Sequence, residues 1–356
     1  MGLIFDAGSD PQRRAFAERA VLRQWLRHPE MAQRYGDEGR KRCVEDMQYT
    51  LLYLEAATST GSLELFRNYT EWLRSIFICH NLDVADLAGT LESLLEIFTE
   101  RGDVLQAEYL TDSLRLMDSM EDVPASRIAE NNPHKALATG YLKLLLDQDR
   151  QGATDLIINA ADTGIPLTDL YLNVLQPCLH EVGRLWTTGQ LTIPQEHYVT
   201  TATQAILAQL QPYAACRPGN GSGNGRRLLA VSIDGDLHQI GIQVVGDVFT
   251  LNGWETTHLG ASVPVGDIVR VVRAQKPELL ALSVTIAPNL PKAAALIQAL
   301  RADPECGGTR IIVGGYPFNR CPDLWKRIGA DGYARDAAAA VAWADKRFAL
   351  PGQDPA

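Results

Sequence analysis

A chain of 356 residues is long enough for two or three domains. Its composition, 46% hydrophobic and 21% charged, fits a soluble globular protein, and a formal net charge of −10 argues against a nucleic-acid-binding surface spread over the whole chain. No apolar run approaches the ~18 residues of a membrane helix. The opening Met1-Gly2-Leu3-Ile4-Phe5-Asp6 lacks the basic region and long apolar core of a secretory signal, and Cys43, Cys79, Cys178, Cys216, Cys306 and Cys321 show no CxxC spacing. Free thiols in a reducing cytoplasm are therefore expected, not disulfides or a zinc site.

In chain order, residues 1–120 read as a helical bundle. Leu22, Trp25 and Leu26 suggest an apolar stripe, and Cys43, Met47, Leu51 and Leu54 recur at spacings of three and four. Further helices are expected at Leu63–Cys79, Val84–Thr99 and Leu105–Met117. The polar, proline-bearing stretch 121–133 reads as a linker. A second helical block, 134–215, holds segments at Ala136–Leu146, Thr154–Ala161 and Leu167–Trp186 and a helix opening near Pro194. A Gly/Asn/Ser-rich tether spans 216–226. Its glycines precede the next strand and have the wrong spacing for a dinucleotide loop.

From residue 227 to 349 the pattern alternates between strands and helices. Apolar strands are expected at Leu228–Ile233, Glu255–Leu259, Leu279–Val284, Arg310–Val313 and Gly332–Tyr333, with helices at His238–Leu251, Val265–Ala274, Leu290–Arg301 and Ala337–Phe348. Residues 350–356 read as a tail. The implied fold class is α plus α/β: helical domains followed by a doubly wound, five-stranded parallel sheet of flavodoxin type with helices on both faces. Ligands of such sheets bind beyond the carboxyl ends of the strands, so the loops after Ile233, Val284 and Val313 are where to look.

The first of these loops contains Asp236 and His238, and Gly241 follows at the start of the helix. A histidine so placed is either a satisfied structural side chain or a metal ligand. The strand-to-helix loop favours the ligand, with the nearby carboxylate holding one ring nitrogen while the other faces a metal. Gly241 lets a bulky group lie close to the backbone. Asp236-x-His238-x-x-Gly241, Ser283-Val284-Thr285 and Gly314-Gly315 together resemble the signature of the cobalamin-binding domain family. The resemblance implies that His238 is the lower ligand to cobalt and Asp236 its hydrogen-bond partner. It further implies that Ser283 and Thr285 line the pocket for the cofactor's nucleotide tail, and that Gly314 and Gly315 leave room for the buried base.

In the second helical block, Trp186 ends one helix, and Thr192-Ile193-Pro194-Gln195 looks like the start of the next. Glu196 and His197 then fall in the first turn, at the same end of a helical hairpin as Trp186. Each alone has an ordinary explanation: core packing for Trp186, a favourable helix N-terminus for Glu196. Jointly, Trp-x9-Glu-His resembles the cobalamin photoreceptors, whose four-helix cap covers the upper face of adenosylcobalamin; ordinary methyl-carrying corrinoid proteins have a cap without this spacing. The chain departs from the photosensory repressors at Thr187, where they place a cobalt-ligating histidine, and residues 1–120 do not look like their DNA-binding head. The layout is most similar to photocobilins, which hold biliverdin non-covalently beside cobalamin.

The resemblance therefore implies a non-enzymatic, cytoplasmic light sensor whose cobalt–carbon photolysis moves the cap and changes self-association, with a homodimer, a light-dependent homo-oligomer and a downstream signalling protein as partners and no direct DNA or membrane binding. The N-terminal bundle would serve dimerisation, signalling or bilin binding; Cys79-His80 invites a covalent bilin link, but its helical setting argues against one. The alternative is a corrinoid methyl carrier, or the cobalamin subunit of a methyltransferase or mutase.

Overall fold

Asp10 opens the first helix, α1 (Pro11–Arg27), by accepting the amide hydrogen of Gln12 at 2.9 Å, while Pro11 takes the first helical position, where no N–H is needed. α2 (Glu30–Ser59) follows, broken at Gly36, and then α3 (Leu63–Cys79), α4 (Val84–Arg101) and α5 (Val104–Leu116). The computed structural model describes residues 10–215 and 225–349. The N-terminal hexapeptide, Cys216, the tether before Gly225 and the tail lie outside the described residues.

These five helices belong to the first of two compact units, Met1–Pro124. Its core holds Leu54, Phe66, Leu87, Leu91, Leu94 and Leu110. Tyr53 stacks on buried Tyr69 with ring centroids 4.1 Å apart, and the Tyr69 hydroxyl lies 2.9 Å from that of Thr50. The stripe expected from Leu22, Trp25 and Leu26 is not the packing face of α1: Leu22 is 44% and Leu26 75% exposed. α1 buries Ala17, Ala20, Val21 and Gln24 instead. Those small residues, also at helical spacing, let α1 approach α4 closely enough for Gln24 to donate to the Asp86 carbonyl at 2.7 Å.

The second unit, Ala125–Ala356, starts within the expected linker. Arg127 donates its amide hydrogen to Glu181 at 2.6 Å, and Asn132 donates its side-chain amide to the Asn173 carbonyl at 2.8 Å. Its helical part comprises α6 (Lys135–Leu146), α7 (Arg150–Asp162), the short α8 (Leu167–Asp169), α9 (Gln176–Thr187) and α10 (Ile193–Ala215). α8 runs into α9 through a π-helical turn, Leu170–Leu175. Pro177 explains part of this irregularity: it lacks the N–H that would bond the Asn173 carbonyl, which turns to Asn132 instead. Tyr141 and Thr203, both buried, join α6 to α10 with hydroxyls 2.8 Å apart.

The sheet comprises β1 (Arg227–Ile233), β2 (Glu255–Val263), β3 (Leu279–Ser283), β4 (Arg310–Gly314) and β5 (Gly332–Tyr333). All pairs are parallel, in the order β2-β1-β3-β4-β5. Between strands run α11 (Gln239–Leu251), α12 (Val265–Gln275), α13 (Leu290–Ala302), α14 (Tyr316–Arg320) and α15 (Leu324–Arg327), and α16 (Ala337–Phe348) closes the fold. α11 packs with α16 and α12 with α13, giving the doubly wound, flavodoxin-type arrangement. The central strands are buried end to end, as parallel strands covered on both faces must be. β2 runs four residues beyond the expected Leu259 because its pairing with β1 shifts register twice, once at Gly260.

Candidate functional site

Register brings the loops together. Ser232 of β1 sits opposite Ser283 of β3, and Ser283 opposite Gly314 of β4, so three strands end in one row. The loop after β1 turns at Gly235, φ 82°. Asp236 then drops into the protein, fully buried, while His238 caps α11 with its side chain 49% exposed. The His238 Nδ1 lies 2.8 Å from Asp236 Oδ1, which also accepts the His238 amide hydrogen at 3.1 Å. Asp236 Oδ2 accepts the amide hydrogen of Thr285, from the loop after β3. Both carboxylate oxygens thus face donors, an arrangement that suits the neutral imidazole tautomer with its proton on Nδ1. Nε2 is left with the lone pair, the form in which imidazole ligates a metal.

The sheet also supplies residues that sequence inspection missed. Ser262, near the end of β2, holds an uncommon φ of 53°. Its hydroxyl accepts from the Gly235 amide at 3.0 Å, and its own amide donates to the Asp236 carbonyl at 3.0 Å. Lys292 of α13 holds the loop from the other side, 2.9 Å from the Asp234 carboxylate. Only their place beside strand ends hinted at a role.

Of the residues expected to receive a nucleotide tail, Ser283 and Thr285 are half-buried, and Thr285 enters the site through its backbone. A Cβ at Gly241 would meet nothing within 4 Å. At Gly314 it would come 3.1 Å from the Ala334 carbonyl, and at Gly315 2.0 Å from the Val284 carbonyl. The space left at both glycines is thus occupied by the protein's own backbone. With φ at 109°, Gly315 is also in a region closed to other residues. Gly315→Ala is expected to destabilise the fold by roughly 3 kcal/mol or more, read as a fall in the urea midpoint.

On the helical side, the Gln195 side chain accepts from the Thr192 amide at 2.9 Å, the N-terminal arrangement expected for α10. Trp186 is buried, Glu196 half-buried, and the His197 side chain 67% exposed. Glu196 accepts from the Thr200 hydroxyl at 2.7 Å and lies 3.5 Å from His197 Nε2. Thr187 is buried, its hydroxyl donating to the Gly183 carbonyl at 2.9 Å.

Among the described residues, no cluster of three or more His, Cys, Asp or Glu is placed to hold an ion. A single oriented imidazole fits a metal that arrives with its own equatorial ligands, as cobalt does in a corrin. Residues 226–342 match the B12 binding domain family, and residues 137–211 match a second family of the same description. These domains mark a corrinoid-binding protein.

The chain is 26% identical over 204 residues to a corrinoid protein of Desulfitobacterium hafniense (strain Y51), covering 57% of this chain and 93% of that one. It is 28% identical over 173 residues to dimethylamine corrinoid protein 1 of Methanosarcina acetivorans, covering 48% and 78%. The structure of the Methanosarcina barkeri monomethylamine corrinoid protein superposes with a TM-score of 0.53 at 21% identity, over 60% of this chain and 100% of that one, a likeness of fold. No helix among the described residues is long and apolar enough to cross a membrane.

Proposed function

We propose that this protein carries a corrinoid with His238 Nε2 as the protein ligand to cobalt, and that it works as an alkyl carrier of the kind that accompanies methyltransferases. The reading rests above all on the buried Asp236 that fixes a half-exposed imidazole at the mouth of the sheet. The cofactor supplies a cobalt–carbon bond that can be made and broken. Asp236 would aim the ligating nitrogen, and Ser262 and Lys292 hold the loop that carries both. The names of relatives, dimethylamine and trimethylamine corrinoid proteins, support a methyl group as cargo; the partner in this reading is a separate methyltransferase. In this reading the chain performs no catalysis by itself.

A second reading, a light sensor, is favoured by Trp186, Glu196 and His197 at one end of the α9–α10 hairpin. Here the corrinoid is adenosylcobalamin, the cap residues contact its adenosyl group, and loss of that group changes self-association. The aromatic-rich first unit would carry dimerisation or a non-covalent biliverdin. Purification in darkness with methylcobalamin, adenosylcobalamin and biliverdin supplied, followed by absorbance and size-exclusion chromatography before and after green light, separates the two. A carrier retains methylcobalamin and keeps one elution volume. A sensor retains adenosylcobalamin and changes elution volume on illumination, a change that Trp186→Phe diminishes. Retention of no corrinoid at all would overturn both.

A further inference from the structure

We propose that the cleft between α10, α11 and β2 is a second ligand site, one that takes a small organic molecule through its primary ammonium group. The cleft has a volume of about 540 Å³ and is lined by Gln204 and Gln211 of α10, Gln239, Gln243 and Asp247 of α11, and His258 of β2. That is room for a small molecule, far more than a bare ion needs.

Asp247 is the centre of the site. Its Oδ1 accepts from Gln211 Nε2 at 2.7 Å, but among the described residues its Oδ2, which is buried, has no hydrogen-bond partner. Thr256 Oγ1 and the Tyr171 hydroxyl are also buried without partners among the described residues. Thr256 lines the same cleft, and the charge of Asp247 acts on the Tyr171 hydroxyl, which burial and that charge together push up. Burial pushes the Asp247 carboxyl up as well, with only the Gln211 amide opposing it. Among the described residues, no lysine or arginine lines the cleft.

Orphaned buried oxygens and an uncompensated carboxylate are costly unless something satisfies them. A primary ammonium brings one positive charge to the one carboxylate and N–H donors to the unpartnered oxygens of Asp247 and Thr256, both of which line the cleft. One carboxylate is too little for a divalent ion, which would want several charged oxygens. The glutamine amides, each donor and acceptor, would orient the remainder of the molecule. Because Gln204 and Gln211 belong to the helical block and Asp247 and Thr256 to the sheet domain, an occupant ties one to the other.

The test uses the full chain without corrinoid, so its outcome does not depend on the cobalt site. Calorimetric titration with ethylammonium and 1,4-diaminobutane should give saturable heats, with potassium chloride and tetramethylammonium as controls; the latter carries charge but no N–H. Asp247→Asn, whose side-chain oxygen still accepts from Gln211, should weaken amine binding about tenfold or more. Thr256→Val should weaken it as well and serves if Asp247→Asn does not fold. Saturable heats that fall in these variants support the site. No heat with either amine, equal binding of potassium or tetramethylammonium, or unchanged binding in a folded variant overturns it.

Discussion

His238→Ala is expected to lose corrinoid while keeping the fold. Removing a residue that merely orients a metal ligand costs about 10–100-fold in affinity. Removing the ligand itself should therefore cost at least about 100-fold, roughly 2.8 kcal/mol. Stability should move by less than about 1 kcal/mol, because the imidazole is half exposed and forms a single side-chain hydrogen bond, to an Asp236 that keeps two backbone donors. The measurement is the cobalamin absorbance that co-elutes with protein after gel filtration, set beside the thermal midpoint of the apo-protein. Undiminished retention in a folded variant would remove His238 from the role of cobalt ligand.

Asp236→Ala should damage both properties at once. The carboxylate is wholly buried and accepts from the His238 ring, the His238 amide and the Thr285 amide, so it joins the loops after β1 and β3. Truncation strands two backbone donors, each worth about 1–3 kcal/mol when left unpaired below the surface. A loss of about 2–5 kcal/mol in stability is expected, together with about 10–100-fold in corrinoid affinity from the freed ring. Asp236→Asn separates the effects. It keeps one acceptor oxygen and the volume, and so should recover much of the stability. Its NH2 group faces either the ring or the Thr285 amide, so the ligating tautomer stays poorly held. Urea midpoints and cofactor dissociation constants, measured on both variants, test this; an alanine variant as stable as the wild type would refute the loop-joining role.

The contrast between what could be read in advance and what could not follows sequence distance. Asp236 and His238 lie two residues apart on one loop, and the strands that frame them are short apolar runs alternating with helices, so the pair and a parallel sheet were legible. Ser262 was not: its partner Gly235 lies 27 residues away, and nothing in a serine announces a positive φ. Gly315 was noticed, but its close neighbour, the Val284 carbonyl, belongs to another strand's loop. In α1 two stripes at helical spacing competed, and the one made of small residues won because alanine permits closer helix contact than leucine. The π-helical turn needed Pro177 and the distant Asn132 together. The single local sign, the proline, does not specify the detour by itself.

The row Ser232, Ser283 and Gly314 has a consequence for biogenesis. The imidazole is synthesised well before β4, yet the Asp236 that aims it is pinned by an amide from the loop after β3, and Gly315, directly after β4, packs on Val284. A nascent chain that stops short of β4 displays the histidine without its cradle. A chain truncated before β4 is therefore expected to retain corrinoid poorly, since the loop after β3 that pins Asp236 would lack its packing against Gly315.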